Sequence, residues 1–438
     1  MLKKSALRWP QVAGLGIALV VAGQFSGWNY GLAAGGWMNM FVATLLMALL
    51  CGGLALCVTE LSTAMPHAGG VFSYAQTAFG PFVGYLVGVS SALALTIGTG
   101  AAATFVSAYT ESVLGFGGWP VKIGMFAVIT AVHMRGVGEA LGLTLLAGAI
   151  AVVALLAFGG AMLPHVEIAR LLGEAPAQSL SLGGIFACVP FAIWLFITVE
   201  QTGSAAEEAA EPGRTMPRGI LAAIGTLLLT ALIVLVCAPG AGGVELVGSA
   251  GDPLYAAMTS PAVAGGSSTL ATVVGIGAVF GLIATFFSLI FAGSRQIFAM
   301  ARDGLLPGLL AHTGPRGTPY WALLLVAAIG LPMSLVSPEK VLLAVVLLLN
   351  FCYLFIFAAF IRIRRTQPNL ARPFRLPGGT LVASFGLVMT SVVIAACFQL
   401  EVFTLLALGA TLALLTLNFA IRSQMQSRPL SLEGTDHV

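Results

Sequence analysis

The sequence predicts an all-α integral membrane protein with 12 transmembrane helices, arranged as a 5+5 inverted repeat followed by two C-terminal helices. Three observations lead to this prediction. Of the 438 residues, 58% are apolar and only 8% are charged, whereas a soluble domain carries about 25% charged residues. Apolar runs of about 20 residues, the length that crosses a bilayer, recur along the chain. The first and the sixth of these runs are interrupted by glycine and polar residues, which predicts discontinuous helices there.

The apolar runs are numbered here as spans 1 to 12 in chain order. They cover roughly residues 12–34, 37–60, 79–113, 120–134, 140–163, 183–206, 219–238, 271–300, 319–337, 341–361, 379–398 and 402–421. Span 4 is short and contains Lys122 and His133. We expect one domain over residues 1–438, divided into repeat one (about 12–163), repeat two (about 183–361), extra helices (about 379–421) and a tail (422–438).

The distribution of positive charge predicts the orientation. An even number of spans places both termini on one side of the membrane. If that side is the cytoplasm, every Lys and Arg lies on it except Lys122, Arg170 and Lys340. Cytoplasmic loops are enriched in these residues, so we expect cytoplasmic termini in the inner membrane of a bacterial-type cell. The basic run from Arg362 to Arg375 is either part of this topology signal or a contact for anionic membrane lipid.

Residues 26–31, Ser-Gly-Trp-Asn-Tyr-Gly, interrupt span 1, and residues 198–204, Thr-Val-Glu-Gln-Thr-Gly-Ser, interrupt span 6. Lipid offers no hydrogen bonds, so a helix breaks at membrane depth only where protein or a cavity receives the freed backbone. Secondary transporters build binding sites from such breaks. A unit of five spans has odd parity, so the second copy enters the membrane from the opposite side. The alternative is that both stretches are glycine-rich packing faces.

Glu200 is the one carboxylate well inside a predicted span. A charge at the centre of a transmembrane helix costs about 2.5–3.5 kcal/mol on insertion scales, so Glu200 is a functional candidate. It either faces the ammonium group of a substrate or carries a proton, because burial favours the neutral acid and a bound cation favours the carboxylate. The structural alternative is a hydrogen-bonded glutamate that holds span 6 to a neighbouring helix.

Other chemistry finds no support in the sequence. No nucleotide-binding loop, HExxH motif or metal-ligand spacing of Cys and His is present, so no enzyme, cofactor, metal site or nucleic-acid partner is predicted. The six cysteines lie in or at the ends of apolar runs without a CxxC pair, as expected for small core residues. Arg295, near the end of span 8, either extends to the interface or caps a gate with Asp303 or the Glu207/Glu208 pair.

Three stretches resemble the amino acid–polyamine–organocation permeases, and the resemblance extends over nearly the whole chain. They read FAIWLFITVEQTGSAAEEAAEPGRTMPRGI (191–220), GSRQIFAMARDGLLP (293–307) and GDPL (251–254). Members of this family carry an aromatic-rich run, an acid and then an A-E-E…P-x-R-x-x-P-R-x-I signature, and they carry G-S-R…A-R-D-G-x-L-P at the end of span 8. The resemblance implies a leucine-transporter-like fold and secondary active transport by alternating access.

The span 1 stretch departs from the pattern of that family. Most members carry G-[ST]-G, whose backbone amides bind a substrate carboxylate, but here Trp28 stands at the third position. Its bulk would crowd a carboxylate, and its ring face attracts a cation by about 0.5–2 kcal/mol. The string GQFSGWNYGL (23–32) is similar to the ethanolamine permease branch. The resemblance therefore implies import of a small amine, ethanolamine first. An amino acid transporter or exchanger of the same fold and a non-transporting amine sensor are the alternatives.

The predicted substrate-binding residues follow from the paired breaks: Ser26, Gly27, Trp28, Asn29, Trp194 and Glu200. Glu200 would face the ammonium group. One of the two tryptophans would stack on it or gate it, and Asn29 or Ser26 would bind the hydroxyl group. Glu200, Tyr30 and Phe191 are the predicted coupling and gating residues.

The predicted coupling ion is the proton. Many relatives use a lysine in span 5 in place of a sodium ion, but residues 140–163 contain no lysine. The scheme of those relatives therefore does not transfer to this chain. The polar residues Thr144 in span 5 and Ser288 in span 8 leave a sodium site as the alternative.

Overall fold

Helices coincide with all twelve predicted spans in a computed structural model that describes residues 7–65, 70–136, 140–172, 179–263, 268–314, 317–398 and 402–426. Among these residues, eight helices are long and apolar enough to cross a membrane, and three apolar helices are shorter. His67 and the end of the predicted tail, from residue 427, lie outside the described residues. The bounds in chain order are Trp9–Val20 and Ala22–Phe25 (span 1), Tyr30–Ala64 (the end of span 1 and span 2), Pro81–Leu114 (3), Trp119–Arg135 (4), Ala140–Met162 (5), Leu182–Trp194 and the 3-10 helix Val199–Glu208 (6), Pro212–Gly242 (7), Ser268–Arg302 (8), Tyr320–Met333 (9), Pro338–Thr366 (10), Gly379–Cys397 (11) and Val402–Gln426 (12).

Both predicted interruptions are confirmed. Span 1 leaves the helical conformation after Phe25 and resumes at Tyr30. Its second half ends at Gly36, whose φ of 77° and ψ of 172° separate it from span 2. Span 6 stops being an α-helix at Trp194 and continues as a 3-10 helix from Val199. Between these two segments Thr198 has a φ of 74°, and it is the one non-glycine residue with positive φ in the described part of the chain.

Short helices join the spans on the two faces of the molecule. Val71–Phe79 lies between spans 2 and 3, on what we call the amino-terminal face because the chain begins there. The opposite face carries Ile168–Leu172 between spans 5 and 6. It also carries Val244–Ser249 and Pro253–Met258, which together form the span 7–8 loop. Proline at the first position of Pro253–Met258 suits a helix start, because that position needs no hydrogen-bonded N–H.

Span 3 lies at the centre of the bundle. It packs against spans 8 and 10, while span 2 packs against span 6 and span 1 against span 7. Most residues of span 3 from Gly84 to Thr110 are buried. Small residues are frequent among them, and small residues let membrane helices approach each other closely. Spans 1, 3, 6, 8 and 10 consequently meet around one point in the interior.

A buried carboxylate, Glu60, ties span 2 to span 10 and the following loop on the amino-terminal face. Its side chain is 1% exposed. Arg364 donates to it from Nε at 2.8 Å and from Nη2 at 2.5 Å. Arg372 Nε lies 3.2 Å from Oε1, and the Leu376 backbone N–H donates at 2.7 Å. Two arginines of the basic run between Arg362 and Arg375 therefore balance a buried charge rather than facing lipid.

Replacing Glu60 by Gln is expected to destabilise the protein by about 3–5 kcal/mol, because removal of one partner leaves buried charges uncompensated. The measurement is thermal unfolding of the purified protein in detergent. Glu245→Gln is the matched control, since Glu245 is exposed on the opposite face. Equal melting temperatures for both variants would show that the cluster around Glu60 contributes nothing to stability.

Candidate functional site

The two helix breaks enclose a cavity in the middle of the bundle. Its lining comes from spans 1, 3, 6, 8 and 10, and every lining residue except Trp194 is buried. The cavity has a free volume of about 30 Å³, counted as the space open to the centre of a water molecule. One water molecule needs roughly 10–15 Å³ of such space. The cavity therefore has room for a few heavy atoms. The lining residues are Leu19, Val20, Ala22, Gly23, Ala94, Leu95, Gly98, Ala102, Phe105, Trp194, Ile197, Thr198, Thr285, Leu289, Val345 and Leu349.

The two hydroxyl groups in this wall are bonded to the backbone of span 1. Thr285 donates to Ala18 O at 2.8 Å and accepts from Ala22 N at 3.2 Å. Thr198 donates to Leu19 O at 3.1 Å. Spans 6 and 8 thus satisfy backbone groups that the ending helix of span 1 leaves free. The wall itself presents mostly carbon atoms to the cavity.

Aromatic side chains satisfy the next backbone groups of the break. The Tyr109 hydroxyl donates to Phe25 O at 2.9 Å, and Trp194 Nε1 donates to Ser26 O at 3.0 Å. Trp28 Nε1 donates to Gln24 O at 3.1 Å. Trp28 has no exposed surface and lies outside the cavity wall, so its ring fills the space behind the break.

Asn29 occupies a backbone amide of the break with its own side chain. Its Oδ1 accepts from Gly27 N at 3.0 Å. Gly27 has a φ of 99°, and a Cβ there would lie 2.5 Å from Trp194 Nε1, so only glycine fits this position. The amide that an anion would approach at this turn is consequently already paired.

The same asparagine joins span 1 to the span 7–8 loop. Its Nδ2 donates to Val247 O at 3.0 Å, to Gly248 O at 3.3 Å and to Ala250 O at 2.9 Å. Ser26 Oγ adds a bond to Gly251 O at 3.0 Å. In the next residue of the loop, burial raises the pKa of the Asp252 carboxyl above its ordinary value, against the hydrogen bond from Ser112. These bonds cover the cavity on the opposite face.

On the amino-terminal side of the cavity, Glu200 belongs to a buried hydrogen-bond network. Tyr353 donates its hydroxyl proton to Glu200 Oε2 at 2.7 Å and accepts from the Thr198 backbone N–H at 3.2 Å. Gln201 Nε2 donates to Glu200 Oε1 at 3.0 Å. Glu200 is 1% exposed and lies outside the cavity wall. The network connects it to the cavity through Thr198.

A second branch of buried polar groups ties span 3 to spans 6 and 8. Ser91 Oγ lies 3.5 Å from Gln201 Nε2 and donates to Gln296 Oε1 at 3.1 Å. Gln296 Nε2 donates to Gly88 O at 3.0 Å. Spans 3, 6, 8 and 10 are therefore held together by side-chain hydrogen bonds beneath the cavity.

Comparison with known proteins identifies the family to which this architecture belongs. A family model described as amino acid permease matches residues 7–417, nearly the whole chain. The chain belongs to the amino acid permease family. Its all-α fold with broken first and sixth spans is the one that the sequence predicts, and the family consists of transporters rather than enzymes.

The permease is similar to several curated transporters over about three quarters of its length. It is 30% identical over 337 residues to a transporter of Rhizobium meliloti (strain 1021), covering 74% of this chain and 71% of the relative. It is 26% identical to a branched-chain amino acid permease of Bacillus subtilis (strain 168), covering 78% and 77%. A methylthioribose transporter of the same organism is 25% identical over 79% and 78% of the two chains.

Of the predicted site residues, one lines the cavity of this permease: Trp194. The break in span 1 consists of Ser26, Gly27, Trp28 and Asn29 and lies between the cavity and the opposite face. Tyr30 and Phe191 meet edge to face at a ring distance of 6.2 Å, also outside the wall. The roles of these residues in binding and gating stay predictions. The guanidinium carbon of Arg295 lies 3.9 Å from the centre of the Phe291 ring. Asp303 Oδ1 lies 3.7 Å from Arg302 Nε.

Sequence reasoning missed the wall contributed by spans 3, 8 and 10. Ala94, Gly98 and Ala102 recur every four residues in span 3, a spacing that places them on one helix face. That spacing of small residues is the signal available in the sequence. Thr285 and Tyr353 carry no comparable signal, because single polar residues in spans are common and their partners lie far away in the chain.

Replacing Asn29 by Ala is expected to destabilise the permease by about 1–3 kcal/mol, because buried carbonyl groups of the span 7–8 loop lose their donor. Thermal unfolding measures the loss. Ser249→Ala is the control, since Ser249 lies in the same loop, is exposed and bonds within its own helix. A melting temperature equal to that of the control would contradict the role of Asn29 in holding the loop.

Proposed function

We propose that this permease imports a small amine, ethanolamine first among the candidates, by secondary active transport with alternating access. The observation that carries the proposal is the character of the cavity. It is small and apolar, it lies at the ends of two broken helices, and the backbone amide that would receive a carboxylate is paired with Asn29.

The helix ends at the cavity favour a cation. The helix Trp9–Val20 of span 1 and the helix Leu182–Trp194 of span 6 both present their C-terminal ends there. A helix C-terminus carries a partial negative charge of roughly half a unit. The Ala18 and Leu19 carbonyl groups at the first end each accept one hydrogen bond, from Thr285 and Thr198, and a carbonyl oxygen has a second lone pair that an ammonium group can use. None of the cavity-lining residues is charged, so the attraction would come from the helix ends.

A carboxylate would find a poorer environment. The Gly27 amide already donates to Asn29 Oδ1 at 3.0 Å, so an anion has to displace that bond. Trp28 fills the space behind the turn with a ring that has no exposed surface. Both features support a substrate without a carboxylate, in line with the similarity of residues 23–32 to ethanolamine permeases.

The Glu200 network supports proton coupling. Protonation of Glu200 changes the charge of a group that is linked to the cavity wall through Tyr353 and Thr198. Substrate binding at that wall and proton binding at Glu200 are thereby connected by two hydrogen bonds. At the alternative sodium site, the Ser288 hydroxyl donates to Ala284 O of its own helix at 2.8 Å.

The proposed setting is the inner membrane of a bacterial cell, with the amino-terminal face in the cytoplasm and the outer surface of the spans in contact with lipid. The excess of Lys and Arg on that face supports this orientation. The span 7–8 loop would then cover the cavity from outside, and the cluster around Glu60 would lie on the cytoplasmic side.

An amino acid with a small apolar side chain is the second candidate. The carbon-rich wall suits such a side chain, and the similar permease of Bacillus subtilis is a branched-chain amino acid permease by name. Competition between substrates separates the two candidates, because only the amino acid requires a partner for its carboxylate.

Purified permease in proteoliposomes is expected to take up labelled ethanolamine in a saturable manner. Other small primary amines should compete with it, whereas alanine should not, because its carboxylate would have to displace Asn29 Oδ1 from the Gly27 amide. Liposomes without protein are the control. Saturable uptake of alanine, with ethanolamine failing to compete, would replace the amine by the amino acid candidate.

Replacing Glu200 by Gln is expected to abolish accumulation driven by a pH gradient, because the variant lacks the titrating group. Exchange of internal for external substrate should persist, since Glu200 lies outside the cavity wall. Tyr353→Phe keeps the ring and removes the hydroxyl group, and it should shift the pH dependence of uptake. Normal accumulation by Glu200→Gln under the same pH gradient would remove Glu200 from the coupling role.

A further inference from the structure

Gly98 stands at the centre of the wall that span 3 contributes to the cavity. Ala94 and Ala102 lie one helical turn before and after it, on the same helix face. Across the cavity stand Leu289 of span 8 and Val345 of span 10. The three small residues leave the space that the substrate would fill.

A methyl group at position 98 fits without disturbing the helices. A Cβ built there would lie 3.6 Å from Val345 Cγ2 and 3.9 Å from Leu289 Cδ1, which are ordinary contact distances. Gly23, the other glycine of the wall, differs sharply. A Cβ there would lie 2.6 Å from Trp194 O, so its substitution disturbs the backbone of both breaks.

The free space is small enough for one methyl group to matter. Its free volume is about 30 Å³, and a group the size of a water molecule needs roughly 10–15 Å³ of such space. A methyl group at position 98 therefore removes a substantial part of this volume. Position 98 consequently controls how much of a substrate's carbon chain the cavity accepts.

We propose that Gly98 determines the specificity of this permease by setting the maximum length of the substrate's carbon chain. The inference rests on the proposed function, because it takes the cavity as the substrate site. The substrate class is then a primary amine with a short chain, whose ammonium group lies at the two helix ends and whose carbon atoms lie against span 3.

The test measures how ethanolamine, 3-aminopropanol and 4-aminobutanol inhibit uptake of labelled ethanolamine. Gly98→Ala should weaken inhibition by the longer amino alcohols, relative to ethanolamine, by roughly tenfold or more, the discrimination that one methylene gives in an apolar pocket. Val345→Ala should change the ratio in the opposite direction. Gly52→Ala is the control, because no atom lies within 4 Å of a Cβ at that position, which faces away from the cavity.

The double variant Gly98→Ala/Val345→Ala should move the ratio back towards the wild-type value, because the added methyl group takes the place of one of the two methyl groups removed from Val345. Such neighbouring substitutions are expected to be non-additive. This compensation also covers the case in which Gly98→Ala alone is inactive.

The outcomes separate the two proposals. Ratios that are equal in wild type, Gly98→Ala and Val345→Ala, while ethanolamine is still transported, overturn the role of Gly98 alone. A wild-type protein that takes up no ethanolamine overturns the proposed function and, with it, this inference.

Discussion

The structure depends on one constraint: backbone groups freed by a helix break inside the membrane need partners from the protein. Lipid provides none, and an unpaired buried group costs several kcal/mol in hydrocarbon. Here the partners come from three other spans. Tyr109 of span 3, Trp194 and Thr198 of span 6 and Thr285 of span 8 all bond to span 1. The break therefore determines which helices assemble around it.

This arrangement makes the cavity a by-product of satisfying the break. Three of the side chains that bond to the backbone of span 1, Trp194, Thr198 and Thr285, also line the cavity, and their polar atoms are already paired. Under the proposed function, polar selectivity would come from helix ends rather than from charged side chains. An apolar wall beside the carbonyl groups of two helix C-termini suits an ammonium group on a short carbon chain.

The cavity lies between two polar contacts that differ in kind. On the opposite face, Asn29 binds carbonyl groups of the span 7–8 loop. On the amino-terminal side, Glu200, Tyr353 and Gln201 bind one another across spans 6 and 10. Under the proposed alternating access, each of these sets of hydrogen bonds would have to break when the permease opens to that side. A carboxyl group occurs on each side: Glu200 in the network on the amino-terminal side and Asp252 in the span 7–8 loop.

Much of this architecture was available in the sequence. The twelve spans and both breaks were predicted correctly, because apolar runs and their interruption by glycine and polar residues are local features. The wall was not predicted. Thr285 and Tyr353 meet the breaks through contacts between helices distant in the chain, which no local pattern records. The chemistry of Trp28 and Asn29 predicts contacts with the substrate; in the structure both side chains bond to the protein, and their role in binding stays a prediction.

An electron cryo-microscopy map of the permease with saturating ethanolamine would show directly where the substrate binds. Ligand density is expected in the cavity. The amine should lie at the C-terminal ends of the first helices of spans 1 and 6, and the carbon atoms should lie beside Gly98. Density elsewhere, such as against the Glu200 carboxylate with the cavity empty, would contradict the claim that the paired breaks form the transport site.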